Sequence, residues 1–142
     1  MPPCGPPWCP PFDPDREWAR ATREAPTLDA RIEAFVAESS AIMERSTALF
    51  TVASQAAAVE PEIAAMERAA MQHTLTDLRA FAEALATDHM LPADLTADAA
   101  TDLVWVVAGP RTMVSLRRDR DWTTFQYAAF VRTTLRRLLV QL

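Results

Sequence analysis

Apolar side chains recur along this chain at three- and four-residue steps, and no stretch alternates with period two long enough to build a sheet. The first such stretch follows Asp13, an N-cap candidate with Pro14 in the first turn of a short helix through Trp18 to Glu24. Pro26 stops it. Thr27 then caps a longer helix whose stripe is Ile32, Phe35, Val36, Ile42, Met43, Leu49 and Phe50, with Arg31, Glu33, Glu38, Glu44 and Arg45 between them as its solvent face. The hydroxyls of Ser46 and Thr47 compete for backbone partners, so a bend is expected there, leaving Ala48 to Ala58 as a third helix.

Pro61 opens the next helix, and Glu60, Glu62 and Glu67 favour its positive end. Its stripe is Ile63, Met66, Ala70, Leu78, Phe81 and Leu85, and it ends near His89. A connector, Met90 to Leu95, leads to Thr96 as the following N-cap. Gly109-Pro110 must interrupt that helix, because Pro110 lacks a backbone donor and crowds the preceding turn. Thr123 caps the last helix, striped by Phe125, Ala128, Val131, Leu135, Leu138 and Leu142. The pattern predicts an all-α, single-domain bundle of six to seven helices over residues 14–142, preceded by a Pro-rich, disordered leader over 1–13.

Composition narrows the function classes. A chain of 142 residues fits one domain and buries roughly 68% of its unfolded surface. All 14 basic side chains are arginine, the formal charge is −5, and no basic stripe is present. Binding of duplex DNA by this chain alone is therefore not expected. The longest clearly apolar run, Leu103 to Ala108, is far short of a membrane span, and no secretory signal opens the chain; a cytoplasmic location is expected. Cys4 and Cys9 read as free thiols in the leader, since zinc would need two more ligands and His73 and His89 fall on separate turns.

Catalytic chemistry finds little support. The glycines are Gly5 and Gly109, which leaves no phosphate loop or dinucleotide fingerprint. Serines such as Ser39, Ser54 and Ser115 lack a nucleophile-elbow context, and Asp98 with Asp102 is explained by proximity to a helix N-terminus. No enzyme activity, metal or cofactor is expected.

The order of landmarks in the last third is more specific. An apolar helix around Leu103-Val104-Trp105 is followed by a charged loop ending in Asp121-Trp122, a Thr123 cap, and a closing helix with Tyr127 and a Leu-Leu end. This order resembles the C-terminal regulatory half of TetR-type transcriptional regulators from high-GC bacteria, over about residues 14–142. The helix-turn-helix that precedes this half in the family has no counterpart in residues 1–13. Two positions depart from the family pattern: a glycine commonly ends the long helix where this chain has His89, and commonly precedes the loop tryptophan where it has Asp121. Aspartate tolerates a left-handed conformation, so that turn is expected to survive.

The resemblance implies a ligand cavity inside the helical body and a homodimer built from the last two helices of each chain as a four-helix bundle. Ligand-contacting candidates are Met43, Phe50, Met66, His73, Phe81, Trp105 and Met113, the methionines and aromatics suiting an adaptable apolar pocket. Each of these also fits an ordinary core position. The segments Leu103 to Leu116 and Phe125 to Leu142 are apolar on more than one face, and Val104, Val107, Leu116, Phe125, Ala128, Leu135 and Leu139 are the dimer-interface candidates. The implied function is a small-molecule-sensing and dimerisation domain of TetR type, without its own DNA-reading head, that takes an apolar or amphipathic ligand. The alternatives are a stand-alone protein that heterodimerises with an intact regulator, and a headless small-molecule-binding protein.

Overall fold

The computed structural model describes residues 17–140, except for the side chain of Trp18. The Pro-rich leader with Cys4 and Cys9, the Asp13-Pro14 cap and Leu142 lie outside the described residues. Among the described residues the protein is all-α, with six helices: α1 (Glu17–Glu24), α2 (Leu28–Ala57), α3 (Pro61–Thr87), α4 (Ala97–Ala108), α5 (Pro110–Arg120) and α6 (Thr124–Leu139).

The starts are set by side chains. The hydroxyls of Thr27, Thr96 and Thr123 accept from the backbone N–H groups of Ala30, Ala99 and Gln126, satisfying donors that a helix N-terminus leaves unpaired. At α6 the Gln126 side chain also accepts from the Thr123 backbone, which completes a capping box. Pro61 opens α3, where its missing N–H costs nothing.

The expected division into two helices at Ser46-Thr47 is not found: α2 runs unbroken for 30 residues, about 45 Å. The reason lies in where the hydroxyls point. Thr47 Oγ1 donates to the Met43 carbonyl four residues back, and Ser39 and Thr51 do the same to Phe35 and Thr47. Hydroxyls that bond back to a carbonyl of their own helix can bend it but do not end it. The Gly109-Pro110 interruption does occur. Gly109 is extended, and a Cβ added there would lie 2.3 Å from the Trp105 carbonyl oxygen, so the sharp change of direction between α4 and α5 admits no larger residue.

α2 packs against α1, α3, α5 and α6, while α4 packs against α3, α5 and α6. The ring α2–α3–α4–α6 thus closes around one core. Ile32 and Val36 of α2, Leu85 of α3, Val104 of α4, and Tyr127, Val131, Leu135 and Leu139 of α6 are almost wholly buried in it. Phe35 stacks on Phe81 at 4.8 Å between ring centres, locking α2 to α3. Tyr127 donates to the Ala108 carbonyl at 3.4 Å, joining α6 to the end of α4. Outside the core, Arg132 grips Glu33 through two nitrogens at 2.7 and 3.1 Å, and Arg136 reaches Asp29 at 2.6 Å and Glu33 at 3.0 Å. These pairs set the rotation of α6 against α2 more than they stabilise it.

Two consequences bear on function. Beyond Thr47 on α2 and before Leu78 on α3 no residue is buried, so those halves run past the core as a helical hairpin. At the opposite end Arg31, 3% exposed, ties three segments together. Its Nε donates to the Ala25 carbonyl at 2.8 Å, Nη1 to the Ala84 carbonyl at 3.3 Å, and Nη2 to Asp88 Oδ2 at 2.5 Å. A residue expected on the solvent face of α2 therefore joins the end of α1 to the end of α3.

Candidate functional site

Between the α2–α3 hairpin and α5 the structure leaves a cleft of about 880 Å³. That volume falls within the range of small-molecule sites. It arises from the geometry just described. The hairpin arms leave the bundle before they can pack against α4 or α6, and the Gly109-Pro110 break sends α5 across α2 rather than onward along the α4 axis. α5 contributes Pro110, Val114 and Ser115 to the third wall.

The walls are mainly apolar. Ile42, Leu49 and Phe50 come from α2, Ile63, Met66 and Met71 from α3, and small residues such as Ala53, Ala57 and Ala70 open space between them. Polar groups sit among them in three kinds. Most already have partners: Arg45 with Glu38 at 3.6 Å, Arg118 with Asp119 at 2.6 Å, and Glu67 with the Ser54 hydroxyl at 2.5 Å. Arg68, Arg111 and His73 are exposed at the rim. Asp77 is different. Its Oδ1 is buried on the cleft wall and has no hydrogen-bond partner. Burial pushes its carboxyl up to about 6, against the opposing pull of His73 one turn away on α3.

The seven ligand candidates do not share one place. Phe50, Met66 and His73 line the cleft. Met43, Phe81 and Met113 are 2–3% exposed and belong to the core, because α6, α2 and α5 cover the helix faces that carry them. Met43 also borders a smaller hollow, together with Thr47, Val52 and Arg117. Trp105 is half-buried against the core and away from the cleft, its carbonyl accepting from Gly109. Of the seven candidates, Phe50, Met66 and His73 are thus the ones the cleft brings together, beside Asp77, Leu49 and Ile63.

The dimer candidates divide in the same way. Val104, Val107, Leu135 and Leu139 lie in the monomer's own core, at 0–7% exposure, and offer no surface to a second chain. Leu116 and Ala128 are half-buried against that core, and Phe125 is 81% exposed. The larger apolar residues of α4 and α6 that are exposed are Val106, Phe125 and Leu138, with Leu103, Trp105 and Phe130 half-buried. The two-faced apolarity of these segments is present, with Val104, Val107, Leu135 and Leu139 turned to the monomer's core and Val106, Phe125 and Leu138 turned outward.

Two non-glycine residues adopt the conformation glycine favours. His89 (φ 55°) and Asp121 (φ 50°) are the positive-φ non-glycine residues of the described chain. At His89 the α3 end is a complete Schellman motif: Met90 N–H donates to the Leu85 carbonyl at 2.8 Å and His89 N–H to Ala86 at 3.1 Å. At Asp121 the Leu116 carbonyl accepts from the next residue, Trp122, which packs edge-on against Phe130. The Asp121 turn survives as expected, and the His89 turn does too.

No protein-family model, curated protein or solved structure matches the chain. Among the described residues no helix is long and apolar enough to cross a membrane, and no group of three His, Cys, Asp or Glu side chains is placed to hold a metal ion.

Proposed function

We propose that this chain is a ligand-sensing and dimerisation domain of the type found in the regulatory half of TetR-like regulators, and that its ligand occupies the cleft between α2, α3 and α5. The observation that carries this reading is the cleft itself: about 880 Å³, apolar-walled, and bordered by Phe50, Met66 and His73. The left-handed turns at His89 and Asp121 and the break at Gly109 add support, because they mark the chain reversals where the resemblance puts them.

The mechanism is a shift in population between arrangements of the two long helices. The cleft lies at one end of α2 and α3, and the Arg31 clamp to α1 lies at the other, about 28 Å away along α2 between residues 31 and 50. A ligand that prefers one spacing of the hairpin arms biases the position of α1. In a complete regulator that end would carry the DNA-reading heads. The acidic balance of this chain argues against duplex binding of its own.

The partner is a second copy of the chain, meeting it through the accessible apolar residues of α4 and α6. The runner-up reading, pairing with an intact regulator through the same residues, draws on the same exposure of Val106 and Phe125, 67% and 81%. Light scattering on the purified protein at micromolar concentration tests the assembly, and a thermal-shift screen of apolar and amphipathic compounds tests sensing. A ligand at 100 times its Kd adds roughly 2.7 kcal/mol, read as a melting shift of several degrees. A monomer that no compound stabilises contradicts the proposal.

A further inference from the structure

We infer that the cleft selects amphipathic organic cations, with Asp77 as the group that holds the ammonium. The inference rests on the proposed ligand-binding reading of the cleft and adds the chemical class of its occupant.

The charged groups around the cleft decide the sign. Arg45 and Arg118 are matched to Glu38 and Asp119, and Glu67 accepts from Ser54. Arg68, Arg111 and His73 stand exposed at the rim, where water solvates them. Among the described residues, the buried polar atom of the wall without a hydrogen-bond partner is Asp77 Oδ1. The Asp77 carboxyl lines the cleft with no arginine paired to it, and an N–H or N⁺–H group bound beside it supplies the missing donor. An ammonium does so most effectively, because the hydrogen bond is then charge-assisted. A carboxylate ligand would meet Asp77 as a like charge.

The apolar body of the ligand has its own match. Leu49, Phe50, Ile63 and Met66 come from the two hairpin arms, and flexible methionines adapt to varied shapes. The aromatic face of Phe50 adds a surface that favours a cation over a neutral group of the same shape.

A matched set of probes separates this inference from the reading beneath it. The compounds are 2-(1-naphthyl)ethylamine, 2-(1-naphthyl)ethanol and 1-naphthaleneacetate, titrated at pH 7.5 by calorimetry into the intact protein and into Asp77→Asn. The expected result is an amine affinity at least ten-fold above that of the alcohol, a weaker carboxylate, and loss of the amine's advantage in Asp77→Asn with the alcohol unchanged. Asp77→Asn removes a charge that is costly to bury, so the variant folds, and the ranking in the unmodified protein stands independently of it. Equal binding of all three probes, or an amine preference that survives Asp77→Asn, overturns the cation inference and leaves the cleft as a binding site. Binding of none of the three overturns both.

Discussion

His73 and Asp77 stand one turn apart on α3, both on the wall of the cleft, the histidine exposed and the aspartate's Oδ1 buried without a partner. A folded protein that keeps a carboxyl in this state gives up stability at that position. Such a loss is common where a side chain is kept for binding rather than for packing.

The cost has a defined pH dependence. The folded state holds the Asp77 proton to about pH 6, whereas the unfolded chain releases it near 3.8. The folded state therefore binds more protons between these values, and stability falls as pH rises from about 4 to about 6. The full shift would amount to roughly 3 kcal/mol in a dry interior, and partial contact with solvent reduces it to on the order of 1 kcal/mol. Asp77→Asn is expected to melt a few degrees above the unmodified protein at pH 7.5 and level with it at pH 4, as read by circular dichroism. An equal gain at both pH values would show that ionisation of Asp77 is not the cause.

The Arg31 clamp joins three segments through one buried guanidinium. Arg31→Ala removes the arginine donor from the Ala25 carbonyl and the Asp88 carboxylate, while the Ala84 carbonyl keeps the Asp88 N–H, and is expected to cost about 2–3 kcal/mol in urea denaturation. Arg31→Lys recovers little, because one ammonium cannot reach three acceptors in the guanidinium's fixed geometry. Asp88→Asn costs less, its side chain being 45% exposed.

Left-handed turns without glycine carry strain. Replacing His89 or Asp121 by glycine relieves about 1 kcal/mol of it, partly offset by the greater freedom glycine gives the unfolded chain. Each variant is expected to melt at or slightly above the unmodified temperature. Gly109→Ala acts in the opposite sense. Its Cβ cannot be placed 2.3 Å from the Trp105 carbonyl, and a loss of about 2 kcal/mol or more is expected from the displaced α4–α5 junction. A Gly109→Ala protein as stable as the original would mean that the junction is open in solution.

Dimerisation is tested where surface exists. Arginine at Leu135 or Leu139 would unfold the monomer, because both side chains are fully buried in its core. Phe125→Arg with Leu138→Arg leaves the core untouched. Light scattering is expected to give a dimer for the unmodified protein and a folded monomer for the double variant. A double variant that remains dimeric places the interface elsewhere.

Much of the fold was legible from local signals. Thr27, Pro61, Thr96 and Thr123 mark helix starts, and Gly109-Pro110 marks a break, because capping and ring geometry act within one turn of the chain. The division at Ser46-Thr47 was misjudged because whether a back-bonded hydroxyl ends a helix depends on packing, which periodicity does not report. The same gap divides the site residues. Phe50 and Met66 occupy stripe positions like those of Met43 and Phe81, and their different fates depend on where the bundle ends along α2 and α3. Asp77 was missed altogether, although a signal existed. The α3 stripe runs Ile63, Met66, Ala70 and then resumes at Leu78, and Asp77 falls in the interruption, seven residues after Ala70. A carboxylate on an apolar stripe marks a place where the core has given way to something else.

The central claim is that the space between α2, α3 and α5 takes up a small apolar molecule. Titration with the neutral dye N-phenyl-1-naphthylamine, followed by its fluorescence, tests this directly when the unmodified protein is compared with Ala53→Trp, which fills the cleft from the α2 wall. The account predicts saturable binding of one dye per chain, weakened at least ten-fold in a folded Ala53→Trp protein. No saturable binding, or binding equally strong in Ala53→Trp, would contradict it.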